Sequence, residues 1–317
     1  MNTAPIYLDC NATTPVDPRV LEAMLPYLAV HYGNPSSDHV VGRHAKAAVD
    51  AARAEVAALI GAAPAEIVFT GCATEANNLA LLGAARAALA GGRKSLVTSA
   101  IEHPSVLQPL RHLAQQGWAL AELPVDAAGR VHMERAANAI TPQVALVSVM
   151  LANNETGSLQ PVRAIADLAH TAGALMHVDA AQAVGKVAVE VEALGSDLLT
   201  LAGHKFYAPK GVGALYVRTD VAIEPIQYGA SHEHGLRPGT ENVPHIVALG
   251  EAARLARAAL TQDAARMTVL RDRLHGRLAA GIPGLRLNGH PTERLPNTLN
   301  LSFPAVAGWQ LLGAAPS

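Results

Sequence analysis

The sequence predicts an α/β fold in which helices cover a mostly parallel sheet. Short apolar runs alternate with Ala-rich stretches of helical period from about residue 40 onward, an alternation typical of crossover units. Of the 317 residues, 50% are hydrophobic and 16% are charged, which suits a large buried core and excludes a disordered chain. The length fits about two domains at roughly 150 residues each.

Each element is predicted from its own pattern. Residues 43–60 space their apolar positions as an amphipathic helix does, with charged side chains on the other face. Short apolar runs indicate strands. In chain order we expect helices at 43–60, 75–89, 162–171 and 246–278, and strands at 66–70, 95–99, 144–151, 175–178, 198–202 and 211–217. We expect the last of these strands to close the sheet.

The chain is expected to divide into three parts. After Pro244 the pattern changes to a long helix and two strand-like pieces, 285–287 and 298–303, which predicts a domain boundary. We expect a large domain at 16–250, a smaller α/β domain at 251–317, and an N-terminal segment at 1–15 that packs with the small domain. The last residues begin like a helix and stop early, so the small domain is expected to be incomplete.

Composition excludes several classes of function. Lys and Arg total 24 against 26 Asp and Glu, a formal net charge of -2, so nucleic acid is not an expected partner. Cys10 and Cys72 are the two cysteines, too few for a disulfide framework, which favours a reducing compartment. No signal peptide is visible, and the apolar run at 144–152 is far shorter than the ~20 residues of a spanning helix. We therefore expect a cytoplasmic protein without a membrane partner.

Polar groups gather where the predicted strands end, which is where parallel α/β sheets bind ligands. The first strand ends in a small-residue turn, TGCATE at 70–75, that opens a helix and suits a phosphate. The later strands end at His103, Asn154, Asp179, and the pair His204 and Lys205. One edge of the sheet would then hold a phosphate-binding turn, an imidazole, an amide, a carboxylate and a lysine. Pyridoxal phosphate requires such a set.

Each requirement of that cofactor has a physical reason. Its carbonyl needs a lysine amine for a Schiff base, and its pyridine nitrogen needs a nearby carboxylate that keeps it protonated. Asp179 and Lys205 follow successive strands, which suits opposite ends of one ring. Taken singly, an Asp such as Asp179 is more often a helix cap or turn residue, and a Lys such as Lys205 is usually just solvated. His103 could be a turn residue, and 71–74 could be an ordinary loop. The cofactor interpretation depends on their coincidence at one edge.

Eight motifs in order, from residue 7 to about residue 303, make the chain resemble a known family. They are YLDCNATT at 7–14, GNPSS at 33–37, FTGCATEANN at 69–78, EHP at 102–104, ANNETG at 152–157, HVDAAQA at 177–183, GHKFY at 203–207 and RPGTEN at 237–242. The chain is identified as a member of the class V, fold-type I pyridoxal phosphate enzymes, in the cysteine desulfurase and selenocysteine lyase family.

The resemblance implies a role for each matching residue. Lys205 would bind the cofactor covalently, Asp179 would pair with the ring nitrogen, and His103 would stack on the ring and help with proton transfer. The cofactor phosphate would be held by Ala73, Thr74 and His204. Gln182 would contact the phenolic oxygen, and Asn154 would contact the ring edge. Thr240 would reach the cofactor of the neighbouring subunit, and Asn34 would contact the substrate carboxylate. The Thr240 contact implies a homodimer.

The resemblance also implies a reaction and partners. A desulfurase takes sulfur from L-cysteine onto a cysteine thiolate as a persulfide and releases L-alanine, whereas a selenocysteine lyase releases selenide and L-alanine from L-selenocysteine. Such transferases serve sulfur metabolism and iron–sulfur cluster assembly, so a sulfur-acceptor or scaffold protein is an expected partner.

The chain departs from the family pattern at three places. The family's persulfide cysteine and its carboxylate-binding arginine lie beyond the strand matching 297–303, in a stretch that we expect to be absent. Cys10 and Cys72 do not occupy the nucleophile's position, and Ala202 stands where many desulfurases carry a hydroxyl residue. One alternative is therefore a truncated cofactor-binding relic, and another is a metal hydrolase using His232 and His234.

Overall fold

A computed structural model describes residues 6–314 of the chain. Residues 1–5 of the predicted N-terminal segment and 315–317 of the predicted small domain lie outside the described residues. The helices are α1 Pro18–Ala29, α2 Val40–Leu59, α3 Ala73–Ala88, α4 Pro104–Gln115, α5 Met133–Ala139, α6 Val162–Thr171, α7 Val191–Leu194, α8 Val243–Gly281 and α9 Gly308–Ala314. The strands are β1 Ile67–Thr70, β2 Ser95–Ser99, β3 Ala119–Leu123, β4 Val144–Met150, β5 Leu175–Asp179, β6 Leu198–Ala202, β7 Gly213–Val217, β8 Arg286–Asn288 and β9 Asn300–Ser302.

Seven strands form one sheet in the order β1-β7-β6-β5-β4-β2-β3. The pairs from β3 through β2, β4 and β5 to β6 are parallel, which confirms the predicted α/β fold class. The expected closing position of β7 is wrong, because β7 lies between β1 and β6 and is antiparallel to both. The chain reaches β7 from β6 through a short loop without a crossover helix, and only an antiparallel strand can follow such a short connection.

Five elements were not predicted from the apolar pattern, namely α1, α4, α5, α7 and β3. The edge strand β3 buries only Leu123, so it carries no continuous apolar run. Helix α4 contains Pro109 and has a proline at its first position, and these prolines mask its helical period.

Helices cover both faces of the sheet. Strand β4 is buried at all seven positions. Its side chains alternate, since Val147 and Val149 join the apolar cluster of α2, α6 and α8, whereas Leu146 joins that of α3 and α4. This burial on two sides accounts for the continuous apolar runs of the parallel strands.

Helix α8 runs unbroken for 39 residues through the predicted boundary between 250 and 251. Its buried positions fall between Val243 and Ala253, and beyond them it leads to the two-stranded antiparallel sheet of β8 and β9. The division into three parts therefore stays a prediction. No helix among residues 6–314 is long and apolar enough to cross a membrane.

Helices α2 and α8 approach each other closely at Gly250. A Cβ placed on Gly250 would stand 2.6 Å from both the Cα and the Cβ of Ala52. We expect Gly250→Ala to lower the free energy of unfolding by about 1–3 kcal/mol, because the backbone of α2 must shift to admit the methyl group. Urea unfolding followed by circular dichroism measures the change.

Gly276 offers a matched control in the same helix, because a Cβ there would meet nothing within 4 Å. We expect Gly276→Ala to raise the free energy of unfolding by up to about 1 kcal/mol, since alanine is the better helix former. Equal effects at the two positions would contradict the close helix approach.

Candidate active site

A cavity of about 470 Å³ opens at the carboxyl ends of the parallel strands. The sequence-predicted residues that line it are Ala73, Thr74, His103, Asn154, Asp179, Gln182, His204 and Lys205. The structure thus brings together side chains from four strand ends and one helix terminus. Thr240 and Asn34 are exposed and do not belong to the lining of this cavity.

The small-residue turn presents the start of α3 to the cavity. Cys72 is the N-cap residue, and its side chain makes no capping hydrogen bond. The first N–H groups of α3 are thereby left free for an anion, which the positive end of the helix dipole also favours. Gly213 of β7 packs behind this turn, since a Cβ there would lie 2.9 Å from the carbonyl carbon of Cys72. A side chain at that position would displace the turn.

Asp179 ends β5 at the floor of the cavity and is 6% exposed. Its Oδ2 accepts a hydrogen bond from Nδ2 of Asn77 at 2.8 Å, and its Oδ1 accepts from the N–H of Ala181 at 3.0 Å. Burial raises the pKa of this carboxyl, while the two hydrogen bonds and the charges of His103 and Lys205 lower it. A buried carboxylate with two neutral donors is suited to hold a cation placed in the cavity.

Lys205 follows β6 in the turn Gly203–Lys205. Its Nζ donates to the carbonyl oxygens of Asn11 at 2.5 Å and Ala12 at 2.9 Å. Burial lowers the pKa of this amine, and the charges of Asp179 and Asp9 oppose that shift. The lowered pKa increases the fraction of neutral, nucleophilic amine near neutral pH.

His103 is the N-cap of α4, and its ring is held at Nδ1. The N–H of Ser105 donates to Nδ1 at 3.1 Å, and Oγ of Ser105 lies 2.7 Å from the same nitrogen. Because an N–H group occupies the lone pair of Nδ1, the hydrogen of the neutral imidazole lies on Nε2. The ring therefore presents an N–H donor on its other nitrogen.

Gln182 and His204 occupy the wall beside Lys205. Nε2 of Gln182 donates to the carbonyl of Asn11 at 2.8 Å, and its Oε1 accepts from Nζ of Lys186 at 2.8 Å. Nδ1 of His204 lies 3.1 Å from Oγ1 of Thr13. Burial lowers the pKa of His204, and three nearby lysines lower it further.

The N-terminal segment contributes residues to which the sequence reasoning assigned no role. Asn11 accepts from both Lys205 and Gln182 through its carbonyl, and its Nδ2 donates to Oγ1 of Thr298 at 3.0 Å. The N–H of Thr14 donates to the carbonyl of His204 at 2.9 Å. This segment thus joins the lysine turn to the C-terminal part of the chain. Its only signal in the sequence was membership of the motif at 7–14.

Glu102 lies directly behind the cavity and is 5% exposed. Its Oε1 accepts from the hydroxyl of Ser99 and from the N–H of Met150. Burial raises the pKa of this carboxyl to about 8, so the protonated form predominates at pH 7 and adds little negative charge beside Asp179.

The cysteines and the histidine pair occupy different surroundings. Cys72 is exposed at the cavity, Cys10 is half-buried, and Ala202 lies in the cavity lining without a hydroxyl. Glu233, between His232 and His234, is paired with Arg53 at 2.6 Å. Within residues 6–314, no three His, Cys, Asp or Glu side chains are grouped to hold a metal ion.

Comparison with known proteins identifies the family. Residues 6–313 match the family model of aminotransferase class-V. The chain belongs to this family. It is 48% identical to "Cysteine desulfurase 2" of Trichormus variabilis over 97% of this chain and 76% of that protein. It is also 48% identical to "Cysteine desulfurase IscS" of Anaeromyxobacter dehalogenans over 98% of this chain and 77% of that protein.

Solved structures agree with this assignment. A structure titled "NIFS-LIKE PROTEIN" matches with a TM-score of 0.94 and 38% identity, over 98% of this chain and 85% of that one. The structure titled "SspA in complex with cysteine" matches with a TM-score of 0.85 and 35% identity, over 94% of this chain and 84% of that one. The expected membership of the cysteine desulfurase group of class-V aminotransferases is confirmed.

Enzymes of this group depend on pyridoxal phosphate, and the residues of this cavity fit that cofactor. The uncapped start of α3 suits its phosphate, and the buried carboxylate of Asp179 suits a protonated ring nitrogen. The amine of Lys205, whose pKa is lowered by burial, suits its carbonyl. The chain is therefore a pyridoxal phosphate-dependent enzyme of the cysteine desulfurase group.

Lys186 is expected to destabilise the folded protein when it is charged. It is 5% exposed, and burial lowers its pKa from 10.5 to about 7. Between those pH values the unfolded chain binds a proton that the folded chain does not, so this group makes stability rise with pH. We expect Lys186→Met to stabilise the protein by about 1–3 kcal/mol at pH below 7. The gain should vanish as pH approaches the unfolded pKa.

Urea unfolding at about pH 6 and about pH 10 measures this dependence. Lys210→Met is the control, because Lys210 is exposed and its replacement should change stability equally at both pH values. A Lys186→Met effect that does not depend on pH would contradict the lowered pKa.

Proposed function

We propose that this enzyme is a cysteine desulfurase that converts L-cysteine and a thiol R–SH into L-alanine and a persulfide R–S–SH. In this reaction the bond between Cβ and sulfur breaks, a sulfur–sulfur bond to the acceptor forms, and the acceptor hydrogen is returned to Cβ through protein groups. The observation that carries the proposal is the convergence of Lys205, Asp179 and the start of α3 on one cavity. The names of the relatives support the choice of substrate.

Bound pyridoxal phosphate supplies an electron sink conjugated to the substrate amine. In the proposal, Asp179 holds the proton of the ring nitrogen, and Gln182 donates to the phenolic oxygen through the free hydrogen of Nε2. Ala73, Thr74 and His204 hold the phosphate, and Asn154 limits the position of the ring edge. These contacts would hold the ring in one orientation, so that the bond to the substrate α-hydrogen can align with it.

Two side chains of the cavity can move protons. Nζ of Lys205, whose pKa is lowered by burial, takes the hydrogen from the substrate Cα when it is neutral. His103 stacks on the ring and presents the N–H of Nε2, which can donate a proton to Cβ or to sulfur. Asn34, on the exposed turn that precedes α2, is proposed to contact the substrate carboxylate.

We further propose a homodimer, in which the exposed Thr240 of each subunit reaches the cofactor phosphate of the other. The proposal is supported by the position of Thr240 outside the cavity of its own chain. Sedimentation analysis should give twice the mass of the 317-residue chain, 32.9 kDa. Thr240→Ala should weaken cofactor binding, and a monomer with full cofactor affinity would contradict the shared site.

The biological setting belongs to the same proposal. A cytoplasmic location is supported by the free thiols of Cys10 and Cys72. Sulfur transfer to an acceptor or scaffold protein in iron–sulfur cluster assembly would be the use of the persulfide. This chemistry requires a thiol acceptor but no nucleic acid or membrane partner.

The direct test is an assay of the purified protein with pyridoxal phosphate, L-cysteine and a dithiol. We expect L-alanine and sulfide in equal amounts, because the dithiol receives the sulfur and then releases it. A parallel assay with L-selenocysteine tests the selenocysteine lyase alternative, for which turnover would be confined to that substrate. Bound cofactor without turnover of either amino acid would favour the relic.

A further inference from the structure

Asn77 lies on α3 behind the cavity and is fully buried, and neither the sequence nor the proposed reaction gave it a role. Its Nδ2 donates to Oδ2 of Asp179 at 2.8 Å and to Oγ of Ser105 at 2.9 Å. Both hydrogens of the amide are therefore used on two acceptors from different strand ends. Its Oδ1 is buried and has no partner among the described residues.

The orientation of this amide follows from its surroundings. Turning it over would place Oδ1 against the carboxylate of Asp179 and would lose the hydrogen bond to that carboxylate. The unpaired Oδ1 costs free energy, which the charge-assisted bond to Asp179 offsets. Only a side chain with two donors and no charge can serve both acceptors in this buried position.

The second bond continues to His103. Oγ of Ser105 accepts from Asn77, so its own hydrogen is directed to Nδ1 of His103 at 2.7 Å. The N–H of Ser105 donates to the same nitrogen. A continuous chain of hydrogen bonds thus links Asp179 through Asn77 and Ser105 to His103.

We infer that Asn77 is a positioning residue that holds the carboxylate of Asp179 and, through Ser105, the ring of His103 in one hydrogen-bonded frame around the cofactor. The inference rests on the proposed function for the roles of Asp179 and His103. The charged and titratable groups that face Asp179 from neighbouring elements are His103, Lys205 and Glu102. None of these three is a hydrogen-bond donor to its carboxylate in the described chain, whereas Asn77 and the N–H of Ala181 are.

The first readout is the binding of pyridoxal phosphate to cofactor-depleted protein, measured by equilibrium dialysis across a pH series. Asn77→Leu keeps the number and branching of the side-chain heavy atoms and removes both donors, so burial acts on Asp179 with one hydrogen bond fewer. We expect about 10-fold weaker binding at neutral pH, the loss typical of a buried charge-assisted hydrogen bond. Cofactor affinity should fall at acid pH as Asp179 becomes protonated, and we call this part of the pH profile the acid limb. In the variant the acid limb should lie about one pH unit higher, because Asp179 takes a proton more readily.

Ser105→Ala tests the His103 end of this chain separately. It removes the contact of the hydroxyl with His103 and keeps both the backbone N–H bond to that ring and the bond from Asn77 to Asp179. We expect cofactor affinity and its pH profile to stay within about 2-fold of wild type and kcat for L-cysteine to fall by about 10-fold or more. A shifted acid limb in Ser105→Ala would contradict the assignment of that limb to Asp179.

Thr98→Val is the matched control for the loss of a buried hydrogen bond. Oγ1 of Thr98 is buried and donates to the carbonyl of Ser148 at 2.9 Å, within the sheet and outside the cavity lining. We expect its stability to fall as that of Asn77→Leu does, with an unchanged pH profile of cofactor binding. Should Asn77→Leu fail to fold, Asn77→Ser retains one donor and serves as the second variant, with an intermediate shift expected.

The outcomes separate the inference from the proposed function. Wild-type protein that binds no pyridoxal phosphate would overturn the proposed function. Wild-type binding together with an unshifted acid limb in both Asn77 variants would overturn the role of Asn77 alone. A shifted limb in Asn77→Leu and an unshifted limb in Thr98→Val would support it.

Discussion

Replacement of Lys205 by alanine is expected to reduce desulfurase turnover by at least about 10³-fold. The amine of Lys205, which is the nucleophile in the proposed reaction, lines the same cavity as Asp179, and burial lowers its pKa. In the proposed reaction, its loss would remove both the covalent link to the cofactor and the base that takes the proton from the substrate Cα. Initial rates of alanine formation at saturating L-cysteine and pyridoxal phosphate measure the effect.

A second measurement does not depend on turnover. Treatment with borohydride should add the mass of the cofactor to the wild-type peptide that contains Lys205, and should add nothing to the variant. Lys210→Ala is the matched control, because Lys210 is exposed and lies outside the cavity lining. Lys205→Ala protein with more than about a tenth of wild-type activity would contradict the role of this amine.

Replacement of Asp179 by asparagine is expected to lower kcat by about 10²–10³-fold, the usual loss when a preorganised electrostatic partner is removed. The amide keeps the size of the side chain but cannot hold a proton on the ring nitrogen. The variant should still bind pyridoxal phosphate through the start of α3, with lower affinity. Steady-state kinetics and equilibrium dialysis measure these two effects.

Stability provides the control for this variant. Burial raises the pKa of Asp179, so between the unfolded and folded pKa values the folded chain binds more protons, and this group makes stability fall as pH rises. Asp179→Asn lacks that dependence. We therefore expect the free energy of unfolding of the variant, measured relative to that of the wild type, to increase as pH rises. Full activity in folded Asp179→Asn protein would contradict the proposed role.

Much of the fold could be predicted because parallel strands are buried on both faces. The runs at β1, β2, β4, β5 and β6 were predicted within a residue or two of their bounds. The edge strand β3 and the proline-containing helix α4 were missed, because one buried residue or an interrupted period gives no clear pattern. The place of β7 could not be predicted, because strand order depends on pairing between distant segments and not on the apolar pattern.

The candidate site divides in the same way. Asp179 and Lys205 stand at strand ends, and parallel strands bring their ends to one edge, so their meeting was predictable. Asn11 and Asn77 were not singled out, because each acts through a hydrogen bond to a residue far away in the chain. The burial that shifts the pKa of Lys186 and Glu102 likewise has no local signature.

The sequence by itself determined the alternation of strands and helices, the family motifs and the chemical groups that gather at the strand ends. It could do so because apolar periodicity and residue type are local properties. Only the tertiary structure decided which groups contact one another, how deeply each is buried and which nitrogen of His103 is occupied. These depend on packing between segments far apart in the chain, and that packing sets the local dielectric and the hydrogen-bond partners on which the chemistry depends.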